Sequence, residues 1–399
     1  MWFTQSVKRL NQRRGKDIPP VLSSREEPSF LHLYLEAETS AQNEVEDAAG
    51  MKALLLSKYR HLEITDVPTP RPGPDEVLVR VAACGICGSD VHGYDGSSGR
   101  RIPPLIMGHE AAGSVAALGA AVAGLTEGDR VTFDSTIFCG RCPSCLRGEI
   151  NLCDKRRVLG VSCADYRCDG AFAEFVAVPR HVVHRLPASL SFCDAGMVEA
   201  VSVALHAVSL SNIVAGQTAL VLGAGMIGLL TLQALQVAGC SSVYVADVDA
   251  SRLKLAASLG ANALRTTENN LVSQIAALTD GRGVDVAVEA VGVDETVRTA
   301  IDCVGKGGRV TLVGNLSPEV TLPLQKVVTR QIRLQGSCAS AGEYPRAIDL
   351  VARRTIRVKP LISAVAPLEE GPHWFERLYS RQPNLMKVIL TPGDVELSG

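Results

Sequence analysis

The sequence predicts an α/β protein with a mostly β first part and a doubly wound parallel sheet after it, and three observations carry the prediction. From Met51 the text "MKALLLSKYRHLEITDVPTPRPGPDEVLVRVAACG" alternates apolar and polar positions between Pro and Gly breaks, as β-strands and turns do. From Thr218 the text "TALVLGAGMIGLLTLQALQVAGCSSVYVADVD" runs strand, glycine turn, helix, strand. Beyond it, "NALRTT", "VDVAVEAVG", "GRVTLVG" and "IRLQGS" recur at strand–helix spacing, which gives six strands in all.

A chain of 399 residues is long enough for two ordinary domains. Apolar residues make up 46% and aromatics 4%, a globular composition built on Val, Leu, Ala and Gly. The formal net charge of −2 gives no field that would draw the molecule to nucleic acid or an anionic membrane. No apolar run looks long enough for the roughly 20 residues of a membrane helix. The twelve cysteines do not read as an extracellular disulfide framework, because the chain is large and no secretory pattern opens it. Reduced thiols, several on metal, in a cytoplasmic protein are the expectation.

Residues 1–50 stand apart. Lys8, Arg9, Arg13, Arg14 and Lys16 make a basic start, and Glu26, Glu27, Glu36, Glu38, Glu44, Glu46 and Asp47 turn it acidic. The acidic second half argues against an organelle-targeting peptide. A poorly ordered extension is expected there, with no function assigned.

In the glycine turn, Gly223, Gly225 and Gly228 permit a tight bend, close approach of a pyrophosphate and close helix–sheet packing. The helix that follows, with Ile227 in its first turn, offers unpaired N–H groups to phosphates. The next strand ends at Asp247, nineteen residues past Gly228, where a carboxylate can accept from ribose hydroxyls and repel a 2′-phosphate. That favours NAD over NADP. Arg252 is the opposing feature, since it could meet a phosphate. Val313 and Gly314, closing "GRVTLVG", complete the candidate cofactor contacts.

Two groups of metal-binding residue types lie upstream. In "FCGRCPSCLRGEINLC", Cys139, Cys142, Cys145 and Cys153 are separated by two, two and seven residues. Four thiolates fill a tetrahedral shell and leave no open position for a substrate. In "CGICGSDVHGYDG" and "PLIMGHEAAG", Cys87, His109 and Glu110 offer a thiolate, an imidazole and a carboxylate, all good zinc ligands. Cys84 precedes Cys87 in a CxxC, but no thioredoxin-like βαβ pattern surrounds the pair, so Cys84 reads as a small buried residue.

Taken together, "CGICGSDVH", "GHEAAG", the four-cysteine lobe, "MVEAVSVALHA", "GAGMIG" and "VADVDASRL" resemble the zinc-containing medium-chain dehydrogenases, nearest the sorbitol and galactitol-phosphate dehydrogenase branch. The resemblance runs from about Met51 to Pro392. It implies a GroES-like zinc catalytic domain over 51–205, a Rossmann NAD domain over 206–340, and a return to the catalytic domain over 341–399. It further implies a homodimer or homotetramer. The four-cysteine lobe then holds a structural zinc, and a second, catalytic zinc sits on Cys87 and His109 with Glu110 as third ligand. Glu199 is the alternative carboxylate, direct or through a zinc-bound water, and Ala200 follows it where the family often has proline. Asp90 is a candidate acceptor for the other ring nitrogen of His109.

The resemblance implies NAD-dependent oxidation of a polyol or sugar alcohol to the ketone, with Ser89 accepting the departing proton and His92 passing it to solvent. Sorbitol dehydrogenases carry a tyrosine after the histidine of "SDVH", where this chain has Gly93 and then Tyr94. They carry an Arg–Tyr pair where this chain has Ala339 and Ser340. A phosphorylated polyol is therefore the sharper expectation, with Arg100 or Arg101 on the phosphate. A threonine-type dehydrogenase and a non-catalytic binding protein are the other readings. Having Cys87, His109, Glu110 and Glu199 together argues against the last.

Overall fold

A computed structural model describes residues 50–266 and 270–393. The extension, apart from Gly50, lies outside the described residues.

The alternating segments from Met51 form antiparallel strands. Glu76–Gly85 is the hub of a seven-stranded mixed sheet, flanked by Glu110–Leu118 on one side and Lys387–Thr391 on the other. Arg130–Phe133 and Val183–Arg185 extend one edge and Ile362–Pro367 the other, while Phe175–Pro179 also pairs with the hub. A smaller sheet of His61–Pro68, Gly50–Lys58 and Leu105–Ile106 lies apart from it. The chain thus leaves the first sheet after Val183–Arg185 and returns to it with its last two strands.

Between departure and return, six parallel strands follow the order Asn262–Arg265, Ser242–Asp247, Thr218–Leu222, Val284–Glu289, Val304–Leu312, Arg333–Gly336. Numbered along the chain this is 3-2-1-4-5-6, and the order reverses between Thr218–Leu222 and Val284–Glu289. Ligands of open α/β sheets bind at the carboxyl ends of strands beside such a reversal. Those ends are Leu222 and Glu289, next to Gly223.

The helix Val198–Leu210 joins the halves. Val198, Ala200, Val201, Ala204, Leu205 and Val208 are buried in a cluster that takes Ala83 and Ala112 from the first sheet and Val221 and Val288 from the second. The segment Phe192–Leu210 corrects the sequence reading on membranes. At 19 residues and mean hydropathy 1.3 it is long and apolar enough to cross one, by length and composition. Its apolarity has another cause: 67% of it is buried inside the protein, as a core helix needs on nearly all sides.

Candidate active site

Strand pairing assembles the reactive cluster. Gly85, the last residue of Glu76–Gly85, pairs with Glu110, the first of Glu110–Leu118. Cys87 follows two residues later and caps the short helix Gly88–Gly93, its Sγ accepting from the Ser89 N–H at 3.5 Å. The ligand atoms of Cys87, His109 and Glu110 then lie within 4.8 Å of one another. A side chain at position 85 would collide with the Glu110 carboxylate, so the approach depends on glycine. His109 and Glu110 are buried and Cys87 is half-buried.

The charges around this cluster call for a cation. Asp90 is fully buried; its Oδ2 accepts the Cys87 N–H at 3.3 Å and its Oδ1 lies 3.4 Å from His109 Nδ1. Burial pushes the Asp90 carboxyl up, but His109 and Arg101 outweigh it and hold it well below the usual carboxylate range. Burial disfavours a charged His109, yet Asp90 and Cys87 on its two sides raise it well above an ordinary imidazole. Glu110 pairs with Lys387, itself buried, which also donates to the Ile86 carbonyl at 3.0 Å.

Glu199 stands in the first turn of Val198–Leu210 and is not one of the three closely spaced ligands. Burial raises its carboxyl to about 7; His109 pulls it down, and Glu110 and Asp134 push it further up. A thiol, an imidazole and a carboxylate whose ligand atoms lie within 4.8 Å of one another fit a divalent ion. Sulfur and nitrogen together with oxygen fit zinc, with a position left open.

Ser89 and His92 both lie on the exposed side of the helix Gly88–Gly93. Ser89 Oγ accepts from Arg101 Nη2 at 3.2 Å. This contact belongs to a correction. Arg101 is not a loop arginine open to a substrate phosphate: it is only 4% exposed, and its Nε and Nη2 donate to Asp90 Oδ1 at 3.1 and 2.9 Å. Arg100 remains exposed. Tyr94 gives no substrate contact either. It is buried against Phe375 and Tyr379, and its hydroxyl donates to the Arg60 carbonyl at 2.9 Å. Ser340 is buried as well.

The four lobe sulfurs of Cys139, Cys142, Cys145 and Cys153 also lie within 4.8 Å of one another. Cys142 and Cys145 Sγ are 3.5 Å apart, near the about 3.8 Å that Zn–S bonds of ~2.3 Å impose across a tetrahedron. The N–H groups of Cys139 and Lys155 each donate to Cys153 Sγ at 3.3 Å, as backbone amides do toward thiolates. Backbone N–H groups, with the Cys153 and Cys142 side chains beside them, lower Cys139 to about 6. The donor set fits a closed zinc shell.

At the second sheet, Gly223 has φ 96° and Gly228 packs so closely on the Gly223 carbonyl that a Cβ would overlap it. A Cβ on Gly225 would meet nothing within 4 Å, so the turn opens onto free space where a pyrophosphate would lie. Ile227 packs into the core from the first turn of Met226–Val237. Asp247 accepts from the Ala224 N–H at 2.6 Å and the Asp249 N–H at 2.8 Å, which pins its carboxylate beside the turn. Arg252 is exposed on the next helix. Val313 and Gly314 follow the fifth strand directly, both N–H groups on the Glu289 carbonyl, and a Cβ on Gly314 would strike the Val291–Gly292 backbone.

Comparison with known proteins agrees with this geometry. The alcohol dehydrogenase GroES-like domain matches residues 73–188, and the zinc-binding dehydrogenase family matches residues 227–353. The chain belongs to the zinc-binding alcohol dehydrogenases. A sorbitol dehydrogenase of Bacillus subtilis (strain 168) is 33% identical over 348 residues, 86% of this chain and 98% of that protein. A zinc-binding dehydrogenase structure from Sinorhizobium meliloti 1021, bound to NADP, superposes with TM-score 0.79 at 36% identity, covering 86% of this chain and all of the other. Galactitol-1-phosphate dehydrogenase from Escherichia coli gives TM-score 0.79 at 29% identity, covering 86% of this chain and 100% of that one. This dehydrogenase is thus an oxidoreductase that uses zinc and a nicotinamide dinucleotide.

Sequence reasoning missed a polar latch in the dehydrogenase. Asn151, on the lobe, donates to the Cys338 carbonyl at 2.7 Å and meets His206 Nε2 at 3.3 Å. His206, on the helix that carries Glu199, meets Glu343 Oε1 through Nδ1 at 2.8 Å. Arg156 braces the same point through the Asn151 carbonyl at 2.8 Å and Cys338 Sγ at 3.2 Å. These partners are 55 to 187 residues apart, and no local pattern marks them. Lys387, 277 residues from Glu110, was missed for the same reason.

Proposed function

We propose that this dehydrogenase oxidises a secondary hydroxyl of a polyol or sugar alcohol to the ketone with NAD, as a homo-oligomer in the cytoplasm. The observation that carries the reading is the juxtaposition of Cys87, His109 and Glu110 with a second carboxyl, Glu199, close enough to respond to both His109 and Glu110. Bound to Cys87, His109 and Glu110, zinc supplies a Lewis acid for the substrate hydroxyl, and the dinucleotide supplies the hydride acceptor. Everything else falls to the chain. The carboxyl-rich wall favours a substrate with several hydroxyls over an apolar alcohol. The Ser89 hydroxyl keeps one lone pair to receive the substrate proton and its own hydrogen to pass on, because Arg101 donates to it and takes nothing. His92, exposed three residues on, hands the proton to solvent. With Arg101 committed to Asp90, a phosphate on the substrate would be left to the exposed Arg100, and the free polyol is the reading tested first.

The sorbitol and galactitol-phosphate dehydrogenase relatives support this substrate class. Cofactor choice rests on Asp247, although the similar Sinorhizobium structure is bound to NADP. The test is an NAD-reduction screen across polyols, polyol phosphates, threonine and simple alkanols with the zinc-loaded protein. Turnover is expected to be best with a free polyol. Better turnover of ethanol or threonine than of any polyol overturns the class. Asp247→Ser should shift the NADP/NAD ratio of kcat/KM upward by roughly tenfold or more, the loss of about 1.4 kcal/mol of discrimination. Equal use of both cofactors by the unmodified protein would refute the assignment.

A further inference from the structure

Arg101 is a fully committed cation in the wall of the reactive cluster, and nothing in the proposed chemistry requires it to be there. Its backbone is fixed by a bridge to Ser162: Ile102 N–H donates to the Ser162 carbonyl at 3.1 Å, and Ser162 N–H to the Arg100 carbonyl at 3.2 Å. From that anchor the guanidinium reaches Asp90 Oδ1 twice, Ser89 Oγ once, and the Arg100 carbonyl at 3.0 Å. Asp90 Oδ1 lies 3.4 Å from His109 Nδ1, a charge contact without hydrogen-bond geometry, and Asp90 Oδ2 holds the Cys87 N–H. One arginine therefore braces three elements at once: the imidazole ligand, the loop of the thiolate ligand, and the hydroxyl beside them.

The slot it occupies is made by Gly93. A Cβ on Gly93 would fall inside contact distance of Arg101 Cγ and 3.0 Å from Arg101 Cβ. Gly93 has a negative φ, so glycine is not required there for backbone reasons. The arginine stem is what excludes a side chain. Gly93 and Arg101 are a matched pair.

From this we propose that Arg101, seated against Gly93, is a positioning residue that orients His109 and Cys87 through Asp90 and fixes the lone-pair direction of Ser89. The inference deepens the proposed function and rests on it for the role of Ser89 alone. Outer partners of metal ligands typically contribute 10- to 100-fold to metal affinity or activity, by locking the ligand in its binding orientation. A bidentate guanidinium locks a carboxylate more rigidly than an ammonium can, so lysine should replace it only in part.

The experiment uses the zinc-loaded full chain with Arg101→Met, Arg101→Lys and Gly93→Ala. Zinc retained after timed exposure to a chelator is read without any substrate, and kcat and KM are read with the best alcohol. Arg101→Met should release one zinc of two roughly 10- to 100-fold faster and lower kcat by a similar factor, with KM changed less than about threefold. Arg101→Lys should recover part of both. Gly93→Ala, which leaves every polar group in place, should behave as a milder Arg101→Met. If Arg101→Met does not fold, Gly93→Ala carries the retention test by itself. Wild-type zinc retention in both Arg101→Met and Gly93→Ala overturns the proposal. So does a rise in KM at constant kcat, which would put Arg101 on the substrate. Failure of the unmodified protein to oxidise any polyol would sink the function above and leave the retention test standing.

Discussion

The two cysteine-containing clusters of this dehydrogenase solve opposite problems. The lobe collects its four thiols from the fifteen residues 139–153, and much of it faces solvent: Leu146 is 76% exposed and Leu152 52%. Little apolar burial holds the lobe, so its shape depends on the metal shell that four thiolates close. The reactive cluster takes only Cys87, His109 and Glu110, each at the end of a strand or loop, and surrounds them with Asp90, Arg101, Lys387 and Glu199. A closed shell can be written locally and stabilises by itself. An open one must be held by the rest of the fold, because the vacant position removes a tether and adds charge.

The sharpest way to break this contrast is to remove one thiolate from each cluster. Cys87→Ser should abolish turnover while the protein melts within a few degrees of the unmodified chain and still binds NAD. Cys142→Ser should open the lobe, halve the zinc content, and lower the melting temperature by about 4 °C, the equivalent of about 3 kcal/mol for a chain of this size and more than Cys87→Ser costs. Metal analysis beside thermal melts reads both. A Cys142→Ser protein of normal stability with no activity would mean that the roles are reversed.

Asp134 offers a smaller effect, at the root where the lobe leaves Arg130–Phe133. Burial raises its carboxyl to about 6; the Thr136 N–H opposes the rise and Glu343 adds to it. The folded protein therefore binds this proton more tightly than the unfolded chain, whose carboxyl titrates near 4. Its contribution is fully present below about pH 4 and is lost as pH rises to about 6. Asp134→Asn does not titrate, so its stability relative to the unmodified protein should climb through that window and level off above it, by at most about 3 kcal/mol. Melts at pH 4.5 and 7.5 that shift equally would refute this.

The least disruptive change sharpens the contrast by loosening the lobe without touching a ligand. Asn151→Ala removes the latch to Cys338 and His206 and should cost about 1–2 kcal/mol while the zinc content stays at two. Loss of zinc in this variant would show that the lobe depends on the body of the protein, contrary to its local design.

The same contrast explains what the sequence revealed. The glycine turn from Gly223 to Gly228, the strand ending at Asp247 and the four lobe cysteines depend on short-range spacing, and the six parallel strands follow from strand–helix alternation, whereas their order came from the structure. Cys87, His109 and Glu110 were legible as residue types, and the pairing of Gly85 with Glu110 supplies their proximity. Arg101 was misread as a contact for a substrate phosphate because two arginines shortly before two prolines look like an open loop. Its burial is decided by Asp90, eleven residues away, and by a bridge to Ser162. The apolar stretch Phe192–Leu210 was underestimated because its two helices are broken only at Gly196 and Met197. Lys387 and the Asn151–His206–Glu343 latch lie beyond any local signal.

The fit between Gly93 and Arg101 also constrains how this cleft can change by descent. A tyrosine at 93, as sorbitol dehydrogenases carry, has no room while Arg101 holds its place. Loss of Arg101 first would leave Asp90 buried without its strongest hydrogen-bond donor. A lineage moving one substitution at a time between the two arrangements must cross a weakened intermediate, and it must change position 101 before position 93. Glycine and arginine here act as a single steric unit, although they lie eight positions apart along the chain.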